Sequence, residues 1–198
     1  MPCKIYRSPE SMTLWIHLSS ICLLLLLSVG SVQAAPPAPV PATGQKTSYA
    51  AGDDGELQSG VPWPSPRFLD NKDGTVSDTL TGLVWLRDAG CIGLQDWNTS
   101  FTQVTSLAHG TCGLIDSSAP GDWRLPNVLE LFSLIDLGNS SPALAANHPF
   151  IDVSSEFYWA STTLVNNTVR GRPVHLGFGM IDQSDKTVLH YVLPVRGQ

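Results

Sequence analysis

Positive charge is scarce in this chain. Its 198 residues carry 11 Lys and Arg against 17 Asp and Glu, a formal charge of −6. That disfavours nucleic acid and bulk polyanions as partners, because binding phosphates takes clustered Lys and Arg. Cysteine is scarce as well, at 4 residues, and no Cys-x-x-Cys occurs among them. Glycine does not recur every third residue, which excludes a collagen repeat. The familiar catalytic signatures are missing: no Gly-x-Ser-x-Gly elbow, no His-Glu-x-x-His, no phosphate loop and no dinucleotide fingerprint. His109, His148, His175 and His190 stand singly, each reading as a surface or core histidine before a base. The Asp53-Asp54 pair has no apolar surroundings in sequence to raise a carboxyl pKa.

Long apolar runs are confined to the start. Lys4 and Arg7 precede a run from Leu14 to Val29, and "SVQAAPP" follows with the small-x-small form of a cleavage site. A basic start, a short apolar centre and a small-residue exit predict a secretory signal peptide over residues 1–34, with an uncleaved anchor as the alternative. The run is shorter than the roughly 20 residues of a spanning helix, and no later stretch is long enough to span. Cleavage removes Lys4, Arg7 and Glu10, taking the formal charge from −6 to −7. It also removes Cys3 and Cys22 and leaves Cys91 and Cys112. An even pair in an exported chain reads first as a disulfide. Closing a loop of about 22 residues stabilises by roughly 3 kcal/mol on the loop-entropy model. A redox or metal role is the alternative, though His109 near Cys112 supplies too few zinc ligands.

Residues 35–60 read as a flexible Pro/Ala-rich linker, most clearly up to Gly44. A folded domain is expected over 61–198. Trp63 lies between Pro62 and Pro64 and is the tryptophan expected to be exposed, a candidate ligand contact. In "RFLDNKDGTVSDTLTGLVWL", strands are expected around Phe68, around Val76 and through Val84 and Leu86, with turns at Asp73-Gly74 and Thr81-Gly82. A helix is expected from Trp97 to Ala108 with Asp96 as N-cap. A second starts after Asn127, with Glu130 completing a capping box and Val128, Leu131, Phe132 and Ile135 as its apolar stripe. Short strand-like runs fill the last third, so the fold class expected is α+β.

Three features could carry chemistry. "DNKDGTVSD" alternates oxygen-bearing residues, making Asp70, Asn71, Asp73 and Asp78 weak candidates for a calcium ion. The full calcium-loop spacing with a terminal Glu is absent, and a polar-edged hairpin turn is the simpler reading. In "GDWRLPN", Pro126 forces Leu125 out of helical geometry, so Trp123 and Leu125 point one way and Arg124 the other. Arg124 then holds a fixed acceptor, with Asp122, Glu130 and Asp78 as candidates. If that acceptor is buried, losing Arg124 costs about 1–3 kcal/mol. The alternative is an arginine in a ligand site.

"RFLDNKDGTVSDTLTGLVWLRDAGC", "GTCGLIDSSAPGDWRLPN", "FYWASTT" and the terminal "YVLPVRGQ" resemble the Lcl C-terminal domain family, exported bacterial domains mostly without assigned function. The resemblance runs from about Thr43 to Gln198. It implies a C-type-lectin-like α+β fold akin to the formylglycine-generating and sulfatase-modifying group, with two helices packed on short antiparallel strands. It also implies a Cys91–Cys112 disulfide. In the collagen-like adhesin that names the family, the domain forms trimers that bind sulfated glycans, so a homo-oligomer and a carbohydrate or cell-surface ligand are implied. This chain departs from that pattern in its acidity, in Ser48 where relatives carry cysteine, and in one missing C-terminal glycine. The catalytic cysteine pair of formylglycine-generating enzymes has no counterpart near the C-terminus.

The reading that results is a non-catalytic periplasmic, cell-surface or secreted binding module, with no resident cofactor. An extracytoplasmic enzyme and a structural cell-envelope protein are the alternatives.

Overall fold

The structure, a computed structural model, describes residues 40–197; the expected signal segment lies outside them. In chain order run α1 (Asp54–Leu57), β1 (Phe68–Asp70), β2 (Thr75–Asp78), β3 (Leu83–Leu86), α2 (Trp97–Thr105), α3 (Val128–Phe132) and six two-residue strands. These are β4 (Phe157–Tyr158), β5 (Arg170–Gly171), β6 (Val174–His175), β7 (Met180–Ile181), β8 (Ser184–Asp185) and β9 (Val195–Arg196). Short helices and antiparallel strands make the class α+β.

The main sheet has the order β1-β2-β3-β9, all antiparallel. Its first two hairpins use the Gly turns read from the sequence. Gly74 sits at φ 88°, and a Cβ there would meet the Gly113 carbonyl oxygen at 2.4 Å, so both conformation and space demand glycine. In register, Val76 faces Trp85 and Trp85 faces Val195, and all three are fully buried. Smaller sheets, β4-β6-β7 and β5-β8, complete the fold. The core gathers Trp85, Trp123, Tyr158 and Trp159 with Leu86, Leu114, Leu131, Leu134, Leu176 and Leu193.

Both main helices are shorter than their apolar stripes predict. Asp96 caps α2 by accepting from the Thr99 N–H at 3.0 Å, but the helix stops at Thr105 and Leu107 is reached through a tighter turn to the Val104 carbonyl. The disulfide Cys91–Cys112, with Cα atoms 5.7 Å apart, ties together the two segments flanking α2. Asn127 and Glu130 close a full capping box on α3. After Phe132 the chain tightens, the Leu134 and Ile135 N–H groups bonding to Leu131 and Phe132. Leu131, Leu134 and Ile135 are therefore the buried residues here, while Phe132 is half-buried.

The expected 35–60 linker differs from the structure over its described part. From Val40 onward it is hydrogen-bonded into the domain. The Ala42 N–H bonds the Val61 carbonyl at 2.9 Å, and the Leu137 N–H bonds the Thr43 carbonyl at 2.9 Å. Asp53 caps α1. Proline-rich composition marks extended chain, and extended chain can also lie along a domain surface when its carbonyls find donors.

Candidate functional site

The segment folded back at residues 42–47, the Pro62–Phe68 run and the stretch from Asp136 to His148 enclose a cleft of about 820 Å3. Trp63 forms one wall. It is half-buried rather than free, because its Nε1–H donates to the Ala42 carbonyl at 2.7 Å and one face covers the Arg67 guanidinium at 4.2 Å. That stacking is a cation–π contact. With one face and its polar edge satisfied, the indole is a positioned aromatic wall.

Arg67 lines the same cleft yet is only 5% exposed. Its Nε and Nη2 donate to the two Asp78 oxygens at 3.3 and 3.2 Å, and Nη2 also donates to the Ser133 carbonyl. Its Nη1 finds no acceptor among the described residues. Asp136, 8% exposed, accepts from the Gly138 N–H at 2.8 Å and from Asn139 Nδ2 at 3.0 Å. His148 closes the rim. Burial holds its imidazole below its ordinary value of 6.5, and its Nδ1 also lacks a partner among the described residues. Sequence reading missed Arg67, Asp136 and His148. The one signal was Arg67 four residues after a proline-flanked tryptophan.

The four candidate calcium residues do not converge. Asp70 accepts from Lys72, through the backbone N–H and Nζ, both at 2.9 Å. Lys72 therefore holds its carboxyl below the ordinary range, with Arg87 adding to the effect. Asn71 bonds Thr75 and Ser77 across the hairpin. Asp73 caps the turn through Thr75. Asp78 is paired with Phe68 at the far end of β2 and is buried against Arg67. No group of three or more His, Cys, Asp or Glu side chains that could hold a metal ion occurs among the described residues.

The "DWRLP" stretch extends the main sheet. Arg124 and Val195 exchange backbone hydrogen bonds, both 3.0 Å. Trp123 and Leu125 are buried, at 1% and 3% exposure, and Arg124 faces out. The Pro126 carbonyl accepts from the Ser161 N–H. Of the three candidate acceptors, Glu130 takes Arg124, with two parallel bonds of 2.7 Å. Asp122 instead accepts from the Ala119 N–H, and Asp78 is committed to Arg67. Glu130 also accepts from the Asn127 N–H at 2.8 Å, so one carboxylate closes the capping box and offsets an arginine beside a helix start. Each partner shifts the other: Arg124 lowers the Glu130 pKa, and Glu130 raises that of Arg124.

The Arg124 side chain is 47% exposed, so the pair is weaker than a buried one. Arg124→Ala is expected to cost about 0.2–1 kcal/mol, below the range for a buried acceptor. Glu130 is the depressed carboxylate, so the contribution is full above its ordinary value of 4.5 and is lost as pH falls through the folded value. Urea melts of wild type and variant should differ at neutral pH, and the difference should shrink as pH falls below the ordinary carboxylate value of 4.5.

The family model of the Lcl C-terminal domain matches residues 74–196. Asp136 and His148 fall inside that span, whereas Trp63 and Arg67 precede it. No curated protein matches the chain.

Proposed function

Because this chain belongs to the Lcl C-terminal domain family, whose function is not assigned, we propose that it is an exported, non-catalytic binding module whose ligand, a glycan or another cell-surface component, seats in the cleft beside Trp63. The observation that carries the reading is the cleft itself: concave, partly aromatic, with a few fixed polar groups. Of the four described histidines only His148 lines the cleft, and the other three are engaged elsewhere. His109 and His175 each accept a nearby backbone N–H through Nδ1. His190 lies 2.9 Å from the Ser184 hydroxyl, but that pair is away from the cleft lining. No carboxylate bonds the His190 ring among the described residues to complete a triad.

A screen of glycans and surface polymers against the mature protein tests this. Saturable binding without turnover is expected, unchanged by calcium, and lost in Trp63→Ala with the fold retained by circular dichroism. Chemical conversion of a bound polymer, or undiminished binding by Trp63→Ala, would overturn it. Export has its own test. N-terminal sequencing of protein from the periplasm or medium should find a start near Ala35, and an intact Met1 or Met12 on cytosolic protein would contradict it. No helix among the described residues is long and apolar enough to cross a membrane.

A further inference from the structure

We propose that the outer edge of β7 and β8 is a docking site for an extended segment of a partner protein that carries lysine or arginine and adds to the edge as a further strand. The surface is separate from the Trp63 cleft, none of whose lining residues belongs to it. The first observation is the length of the edge. β7 is the last strand of its sheet, and β8 is paired on one side only. Val174 pairs with Ile181 and His175 with Met180, while Arg170 pairs with Asp185 and Gly171 with Ser184. Between the two pairings the Asp182 N–H bonds the Pro173 carbonyl at 3.1 Å. Residues 180–185 therefore form a single edge.

Backbone groups on that edge are open. Asp182 points its N–H inward, so alternation along the ladder turns the N–H and C=O of Ile181 outward. Outside the ladder neither has a partner among the described residues. Met180, Ile181, Asp182 and Gln183 are all exposed, as is Phe178 at the hairpin tip. Folded sheets ordinarily blunt their edges with lysine, proline, a bulge or a covering segment. The run from Phe178 to Gln183 contains neither Lys nor Pro, and no strand covers it among the described residues. An open row of main-chain donors and acceptors is what an extended peptide recognises.

Register sets the chemistry of the incoming side chains. Phe157, His175 and Met180 stand in one cross-strand row and so share a face. Phe178 stacks on His175 with ring centroids 4.7 Å apart, and His175 meets Phe157 edge-on at 4.6 Å. The row ends at the edge in Phe178 and Met180, which are 66% and 43% exposed. Asp182 lies two residues on from Met180, where strand alternation returns it to the same face. Its carboxylate accepts the neighbouring Gln183 N–H at 2.8 Å and meets no cation among the described residues. Lysine and arginine combine an apolar stem for the row with a charge for Asp182. A second copy of this chain, at a formal charge of −6, brings like charge to the edge instead.

The test titrates the isotope-labelled exported protein with the acetylated, amidated peptide Thr-Val-Lys-Val-Thr and follows backbone amide resonances. Saturable shifts centred on Ile181 and Gln183 are expected. They should vanish when the peptide's backbone amides are N-methylated. They should vanish too in Ile181→Pro, checked for an unchanged melt, which removes an outward N–H that the ladder does not use. Norleucine in place of the lysine should bind about two- to fivefold weaker, the worth of one exposed ion pair, and glutamate weaker still. Asp182→Asn, which keeps an acceptor for Gln183, should erase the preference for lysine. Undiminished binding of the N-methylated peptide would overturn strand addition, and equal binding of the lysine and glutamate peptides would overturn the basic partner. Shifts confined to other residues, or none, overturn the proposal outright. A peptide-free dimer seen by sedimentation and lost in Ile181→Pro would assign the edge to a second copy and overturn it as well. Trp63→Ala should leave peptide binding unchanged, so the cleft stands or falls on its own ligand.

Discussion

Trp123→Ala is expected to lower stability by about 3–5 kcal/mol, the cost of emptying a buried tryptophan site. The ring is 1% exposed, and its Nε1–H donates to the Ser118 hydroxyl at 3.2 Å. The Arg196 guanidinium lies over it at 4.9 Å while pairing with the buried Asp116 at 3.0 Å. Truncation therefore opens a cavity and also removes the surface that seats an ion pair at β9, the strand that Arg124 joins. Trp123→Phe keeps most of the ring and should cost distinctly less. Urea unfolding of both variants checks this, and a loss under about 1 kcal/mol for the alanine would mean the site collapses around the gap.

Asp78→Ala should be comparably damaging, at about 3–5 kcal/mol, because it leaves a buried guanidinium without its counter-charge. Asp78 is fully buried and accepts four hydrogen bonds: two from Arg67, one from the Leu80 N–H at 3.0 Å and one from the Thr81 hydroxyl at 2.9 Å. Arg67 in turn holds the Ser133 carbonyl just past α3. The pair therefore fastens the first hairpin to the second helical region and sets the floor of the cleft. Replacing both charges, as in Arg67→Met with Asp78→Leu, should recover much of the loss, since two well-packed apolar groups leave no charge uncompensated. Full recovery is not expected, because the Leu80 and Thr81 donors stay unmet. A double variant no more stable than Asp78→Ala would contradict this account of the pair.

What could be read from the sequence was local. Gly74 and Gly82 announce their turns, and the three strands around them form in the expected order. Asn127 and Glu130 are three residues apart, so their mutual capping is visible in the string, and the same spacing placed Glu130 within reach of Arg124. Helix ends were less legible. Apolar residues at Leu134 and Ile135 continue a helical stripe, yet they are delivered to the core by a tighter turn that no periodicity distinguishes. The cleft was almost invisible. Arg67 and Asp78 meet because β1 and β2 are antiparallel, and Asp136 and His148 arrive from far along the chain. Trp63 could be singled out by its two prolines, but those prolines said nothing of the Ala42 carbonyl that holds its indole. The Pro/Ala run carries no amphipathic signal, so the docking of its described part, from Val40 onward, had no trace in composition.

The most direct test follows the indole N–H resonances of the chain from Ala35 onward, which holds five of the six tryptophans, Trp63, Trp85, Trp97, Trp123 and Trp159, as ligand from the screen is added. Four of them serve the interior, and Trp63 alone lines the cleft. The Trp63 indole peak should move with saturation while those of Trp85, Trp123 and Trp159 stay in place. A bound ligand that shifts other indole peaks and leaves Trp63 still would place the site elsewhere and contradict the assignment of the cleft.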